Sequence, residues 1–331
     1  MSELPVTAAD VAAARSRIRG LTLRTPLVPA TELSRRCQVS VSLKLESIQP
    51  TGSFKVRGAA SKLTSLDPEV ARRGVVTAST GNHGRAVAHV AARSEVPATI
   101  CLSDNVPAGK VAALEALGCE LIVGGDSQAA ALETAAEIVA ERDATLVHPF
   151  DDVEVIAGQG TMALEVCEDA PDVSTLLVPL SGGGLAAGIA VAAKTSRPGT
   201  RVIGISMERA AVMAASLDAG HPVDLPEEPT LADSLQGGIG RDNATTFPIL
   251  AALLDEVVLL DEQAIWDGMR HAFDAHRLIL EGGAAVGIAA LLTGRIDLAR
   301  DHHVVVVATG ANAEADHVAA LAQGATTAPT A

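Results

Sequence analysis

Four short segments of this 331-residue chain carry side chains whose types and spacing could do chemistry. In the first, Gln49-Pro-Thr-Gly-Ser-Phe-Lys-Val-Arg-Gly58, a Pro- and Gly-containing turn runs into a predicted helix capped by Ser53. Lys55 then falls in the first helical turn. The positive end of the helix dipole and Arg57, two residues on, both disfavour an ammonium there, and a neutral amine is a nucleophile able to form a Schiff base. Taken alone, Lys55 is one of 25 basic residues, and an ordinary surface lysine beside a solvated arginine is the better account of it.

The second segment, Thr77-Ala-Ser-Thr-Gly-Asn-His-Gly-Arg85, joins an apolar strand to an Ala-rich helix. Main-chain N–H groups at such a turn attract anions, and the hydroxyls of Ser79 and Thr80 add donors, so a carboxylate fits. The Asn82 amide could bond a cofactor oxygen. Capping explains one polar residue at a helix start, not the whole run. The third segment, Val178-Pro-Leu-Ser-Gly-Gly-Gly-Leu-Ala-Ala-Gly188, again follows a strand, and its consecutive glycines let the main chain wrap a phosphate. Gly182, Gly184 and Ala187 also satisfy G-x-G-x-x-A, with Glu208 at the end of the next strand, so a dinucleotide fits this segment as well. The fourth, Val304-Val-Val-Val-Ala-Thr-Gly-Ala-Asn312, is a buried-strand pattern ending in a hydroxyl and a turn.

The elements that must position these turns are legible from periodicity. Thr7 and Asp10 form a capping box for a helix running to Arg19, stopped by Gly20. Short apolar runs near residues 41–45, 74–78, 98–102, 120–123, 145–147, 175–180, 202–206, 256–260 and 304–308 alternate mostly with helical patterns. That alternation means βαβ units and a mainly parallel sheet, and the irregular spacing favours two open sheets over an eightfold barrel. In a doubly wound sheet the carboxyl ends of strands line the ligand crevice, which brings Thr309, the glycine run and the Asn82 turn together. The Asp151-Asp152 turn marks a border after a compact group of strands between residues 70 and 150.

Composition narrows the functions. At 48% hydrophobic the chain fills a substantial core, with 2% aromatic residues and no Tyr, so Ala, Val, Leu and Ile must do the packing. A net charge of −15 with no basic run argues against nucleic acid, and no apolar run approaches the roughly 20 residues that span a bilayer. The amino terminus lacks a leader pattern, and Cys37, Cys101, Cys119 and Cys167 form no C-x-x-C pair, which fits a reduced, cytoplasmic setting. The Walker signature and the G-x-S-x-G elbow are missing, and the His302-His303 doublet points its side chains to opposite faces of a strand, so neither P-loop, hydrolase nor zinc chemistry is expected.

In combination, Ser53-Phe54-Lys55, Ser79-Thr80-Gly81-Asn82-His83-Gly84, Ser181-Gly182-Gly183-Gly184-Leu185 and Thr309-Gly310 resemble the fold-type II pyridoxal-phosphate enzymes, in particular the threonine/serine dehydratase and serine racemase family, over nearly the whole chain. The resemblance implies an α/β fold of two doubly wound open-sheet domains, tryptophan synthase β-like, with pyridoxal 5'-phosphate in the cleft between them. A large domain of residues 1–68 and 152–331 would hold the cofactor, and residues 69–151 would bind the substrate carboxylate. It further implies Lys55 as the Schiff-base lysine, Phe54 packed by the cofactor ring, Asn82 at its 3-hydroxyl, Gly182, Gly183, Gly184 and Leu185 around its phosphate, and Thr309 at its pyridine nitrogen. The turn Ser79, Thr80, Gly81, Asn82 and His83 would bind an amino-acid substrate, with Thr80 as second catalytic group. A neutral hydroxyl at the ring nitrogen favours β-elimination, to a 2-oxo acid and ammonia, over a long-lived carbanion.

Three departures from the family pattern shape the expectation. Thr80 stands where the racemases have a serine, the segment after Glu208 lacks the further carboxylate of the racemases' cation site, so no metal is expected, and the chain ends soon after Thr309, which leaves no regulatory domain. Thr77–Ala86 and Thr230-Leu-Ala-Asp-Ser-Leu-Gln-Gly-Gly-Ile-Gly240 look most like dehydratases of hydroxyectoine utilisation. A homodimer is implied. The alternatives are an amino-acid racemase of the same fold and a dinucleotide-binding oxidoreductase, which would leave Ser53-Phe54-Lys55 and Asn82 without a task.

Overall fold

The computed structural model describes residues 4–104, 106 and 108–330. Residues 1–3, on which the reading of the amino terminus partly rests, lie outside them. The first helix, Ala8–Arg17, opens with the expected capping box: Thr7 accepts from the Asp10 main chain, and the Asp10 carboxylate accepts from the Thr7 N–H.

Two open sheets form. The six-stranded sheet runs β1 (Leu27–Pro29), β2 (Ser40–Leu45), β10 (His303–Ala308), β7 (Thr175–Pro179), β8 (Arg201–Met207) and β9 (Glu256–Leu260). The four-stranded sheet runs β5 (Glu120–Val123), β4 (Ala98–Leu102), β3 (Val75–Ala78) and β6 (Thr145–Leu146). Every pairing is parallel except β1 on β2. That short antiparallel edge strand has no counterpart among the runs read from sequence, because three residues beginning before a proline carry too little periodicity.

Helices cover both faces of the large sheet, so its central strand is apolar throughout. Val304, Val306 and Ala308 join one core, with Trp266, Leu177 and the helix Gly282–Thr293. Val305 and Val307 join the opposite one, with the helices Val153–Asp169 and Gly184–Ser196. The smaller sheet packs Val75, Ile100 and Leu102 against the helix Asn82–Arg93 and against Val56, Ala59 and Leu63 of the helix Lys55–Ser65. The Lys55 helix therefore leaves the end of β2 in one sheet and buries its apolar face in the core of the other.

Among the described residues no helix is long and apolar enough to cross a membrane, and all four cysteines are free thiols. Trp266 is fully buried and donates its indole N–H to Ala325 O at 3.1 Å, which pins the carboxyl-terminal segment to the helix Glu262–His276. Trp266→Ala should destabilise the fold by about 3–5 kcal/mol, read as a lower urea midpoint; a loss below about 1 kcal/mol would contradict this packing.

Candidate active site

In a parallel sheet all strand ends of one sense lie on one side, and β2, β10 and β7 are neighbours. Their following loops carry Lys55, Thr309 and the glycine run, so sheet order alone sets these three side by side. The first two are also laced together. Phe54 N–H donates to Thr309 O at 3.0 Å, Ala311 N–H to Gly52 O at 2.9 Å, and Ser53 bridges Gly310 in antiparallel fashion. The Ser79–Asn82 turn follows β3 of the smaller sheet and reaches the same cleft through Asn82, whose amide donates to Glu281 Oε1 at 2.8 Å.

Lys55 is the first residue of its helix. No side chain caps that helix; Phe54 holds the cap position, and the buried Ser53 hydroxyl has no hydrogen-bond partner among the described residues. The half-buried Lys55 donates from Nζ to Pro149 O at 2.8 Å and lies 5.5 Å from the centre of the Phe54 ring. Burial pulls its amine down to about 8, against the opposing negative charge of Glu281. Arg57 plays no part in that shift, contrary to the sequence reading, because its guanidinium is turned away and bound by Glu46 and Glu165. The other described lysine side chains are in ion pairs: Lys44 with Glu165, Lys62 with Asp152 and Lys194 with Asp255. Among the described residues Lys55 has no such partner, so no ion pair holds its ammonium and the neutral, nucleophilic amine is within easier reach than in an ordinary lysine.

The glycine run is a tight cradle. Gly183 has φ +90° and precedes the helix Gly184–Ser196, whose first N–H groups point outward. A Cβ on Gly182 would lie 2.3 Å from the Phe150 ring, and one on Gly183 2.6 Å from Leu250. Phe150 follows the Pro149 carbonyl that holds Lys55, and the Asp151 carboxylate accepts the main-chain N–H groups of Ala244, Thr245 and Thr246 at 3.1, 3.0 and 2.7 Å. The link between the sheets thus shapes the cradle and the lysine together.

On the smaller sheet, the helix Asn82–Arg93 has Gly81 at its cap and no side-chain cap, so neither Ser79 nor Asn82 is spent on capping. Ser79 and Thr80 are half-buried and Gly81 is exposed. The His83 ring is buried against Val147 O at 2.9 Å and held neutral, down to about 3 by burial and then by the charge of Lys55. His83 can offer a substrate its main-chain N–H, not its imidazole. Thr309 is buried beside Phe54, as its place at the end of β10 requires.

Two residues of the cleft had no role assigned from sequence. Glu281 stands at the cap position of the helix Gly282–Thr293 without its side chain capping it, receives Asn82, and is pushed up to about 7 by burial and by Asp233, against the Asn82 hydrogen bond and the charges of Arg85 and Lys55. Gly310 leaves room for it: a Cβ there would lie 2.3 Å from Glu281 Oε1. Asn312 donates to Asn82 Oδ1 and Thr51 O and accepts from Arg85 at 2.8 Å. The signal for Glu281 was a lone acid opening an otherwise apolar helix, Leu280-Glu-Gly-Gly-Ala284. Glu208, the acid of the dinucleotide alternative, faces Arg295 at 3.5 Å.

Comparison with known proteins agrees with this geometry. The family model "Pyridoxal-phosphate dependent enzyme" matches residues 18–310. A Sinorhizobium fredii protein provisionally named a threonine dehydratase is 50% identical over 299 residues, 90% of each chain. The L-threonine ammonia-lyase of Thermotoga maritima is 37% identical over 95% of this chain and 77% of its own. The solved structure of maize serine racemase superposes with a TM-score of 0.90 at 32% identity, covering 96% of this chain and 97% of that one. The chain belongs to the pyridoxal-phosphate dependent enzymes. Its residues fit that cofactor: an uncapped helix start entered through glycines, with Gly183 at φ +90°, suits the phosphate, and an unpaired, depressed lysine suits the aldehyde.

Because Glu281 carries the negative charge that raises the Lys55 amine, Glu281→Gln should let it fall below about 8 in the cofactor-free protein. Isotope-labelled reductive methylation, followed by pH titration of the Lys55 resonance, reads this directly. An unchanged or raised midpoint would contradict the assigned opposition.

Proposed function

We propose that this protein is a dehydratase that removes water and then ammonia from a β-hydroxy amino acid such as serine or threonine, leaving a 2-oxo acid. The observation that carries the reading is Lys55: an amine brought to about 8 by burial, free of ion pairs among the described residues, beside the glycine cradle and Thr309. The names of the threonine dehydratase and ammonia-lyase relatives support it.

In this reading Lys55 Nζ holds pyridoxal phosphate, Gly182, Gly183, Gly184 and Leu185 bind its phosphate, Phe54 packs by its ring, Asn82 takes its 3-oxygen with the amide hydrogen not used by Glu281, and Thr309 meets its ring nitrogen. Bound there, the cofactor supplies an electron sink for bonds at the substrate's α-carbon. The main chain from Ser79 to His83, with the Ser79 and Thr80 hydroxyls, takes the substrate carboxylate at the positive end of a helix. Nζ of Lys55, once free, takes the α-proton, and the β-hydroxyl leaves as water by drawing a proton from the ammonium so formed, which returns Nζ to its neutral state. The unsaturated amine released then takes up water and gives the 2-oxo acid and ammonia. Thr309 offers a hydroxyl where an aspartate would hold the ring nitrogen protonated, which favours elimination over racemisation.

The residues 69–151 act as the carboxylate-binding domain and 1–68 with 152–331 as the cofactor domain. Three finer readings go with it: a substrate from hydroxyectoine catabolism, from the likenesses in Thr77–Ala86 and Thr230–Gly240, a homodimer, from the fold-family resemblance, and a cytoplasmic setting, from the unpaired cysteines. Support for a role of the second segment is local. Leu231 and Ser234 press on Gly282 and Gly283, and Asp233 raises the carboxyl of Glu281. The racemase reading has the maize enzyme behind it, with the Thr80 hydroxyl as acid and base on the second face.

Incubation with L-serine decides between the two: pyruvate and ammonia are expected, and D-serine as the main product would overturn the dehydratase reading. Lys55→Ala should abolish oxo-acid release from serine and threonine together with the visible absorbance of the bound cofactor; retained turnover would remove Lys55 from the mechanism.

A further inference from the structure

Beneath the Lys55 helix lies a polar cluster that the reaction does not use. Arg57 is almost wholly buried and engages each of its guanidinium nitrogens. Nε and Nη2 reach the two oxygens of Glu46 at 2.8 Å each, and Nη1 and Nη2 reach those of Glu165 at 2.7 and 2.9 Å. Further bonds run to Thr161 and to Leu23 O, both at 3.2 Å. Lys44 joins Glu165 and Thr25 O at 2.6 Å each, while Thr25 and Gln49 donate to Glu46. Lys44, Glu46 and Glu165 are buried as well. Two cations and two anions thus balance in a buried site where burial would depress Arg57, were it not for Glu46 first and Glu165 next.

Such a network is an expensive way to gain stability, since well-packed apolar residues of the same volume commonly do as well or better. Its location offers another use. Successive helical residues turn by about 100°, so side chains two apart point about 200° apart. Fixing Arg57 below the helix aims Lys55 at the opposite side, where Pro149 O receives it. The first turn needs this, because no side chain caps it. Three separate pieces of chain close on Arg57: the turn after β2 through Glu46, the helix Val153–Asp169 through Thr161 and Glu165, and the segment before β1 through Leu23. The forked guanidinium is suited to this, as it bonds two carboxylates in fixed directions where an ammonium would act as a point charge.

We propose that Arg57, held by Glu46, Glu165 and Lys44, is a positioning residue that sets the direction in which Lys55 enters the cleft, an inference that rests on the cofactor-lysine reading of Lys55.

Holoenzyme variants test it through three readouts: melting temperature, the pH midpoint of the visible band of the lysine-bound cofactor, and turnover of L-serine. Arg57→Lys keeps the charge and loses the fork; it should fold and bind cofactor, with a displaced midpoint and turnover lower by roughly 10- to 100-fold, the cost of a reacting group displaced by up to about an ångström. The pair Arg57→Met with Glu46→Met leaves the Lys44–Glu165 ion pair in place; it should recover melting temperature without recovering the midpoint or turnover. If either folded variant has the midpoint and turnover of the unaltered enzyme, the cluster only stabilises and the proposal fails. Should the Arg57 variants not fold, Glu46→Gln must move the same two readouts, and a folded Glu46→Gln enzyme with both unchanged is equally fatal. A holoenzyme that lacks any borohydride-sensitive band from the start would instead overturn the reading of Lys55 itself.

Discussion

The direction of parallel strands is the constraint on which the remaining structure depends. Strands that run the same way in neighbouring positions must deliver their following loops to one edge, and β2, β10 and β7 are such neighbours. No long-range attraction between Lys55, Thr309 and Gly182 is needed to assemble them. What is needed is that β10 be apolar on both faces, which the run of valines from Val304 to Val307 provides. The short bonds from Phe54 to Thr309 and from Ala311 to Gly52 then fix two of the loops at main-chain precision.

Within that frame, the electrostatics of the cleft come from burial first and from partners second. Lys55 is lowered because its ammonium loses water, and the opposing carboxylate of Glu281 does not recover the loss. Glu281 is raised for the same reason, and the nearby cations Arg85 and Lys55 only moderate it. The two groups therefore sit nearer to neutrality than either would in water. Arg57 is the contrast: equally deprived of water, it keeps its charge because two carboxylates surround it. One turn of helix thus carries a lysine free to react and an arginine that cannot leave its post.

Much of this was legible beforehand. The strand runs, the capping box at Thr7, and the four turns carrying Lys55, Ser79–Asn82, Gly182–Gly184 and Thr309 depend on local pattern, and local pattern survives folding. Cross-chain facts were not. Glu281 meets Asn82 across 199 positions of sequence, and the acid gave only a faint cue at the start of an apolar helix. Arg57 was credited with depressing Lys55 because sequence places them two residues apart; their side chains diverge, and the carboxylates that absorb Arg57 come from 11 residues upstream and 108 downstream. His83 was grouped with its polar neighbours, yet its ring turns into the core to Val147 O. The strand β1 escaped because three residues carry no period.

The assignment of the cofactor to Lys55, and to no other lysine, is open to a direct chemical test. The chain has five lysines, at positions 44, 55, 62, 110 and 194. Borohydride reduction of the holoenzyme, followed by proteolysis and mass mapping, locates the trapped pyridoxyl group at a single residue. The group is expected on the peptide bearing Ser53-Phe54-Lys55; recovery on another lysine, or on none, would contradict the assignment.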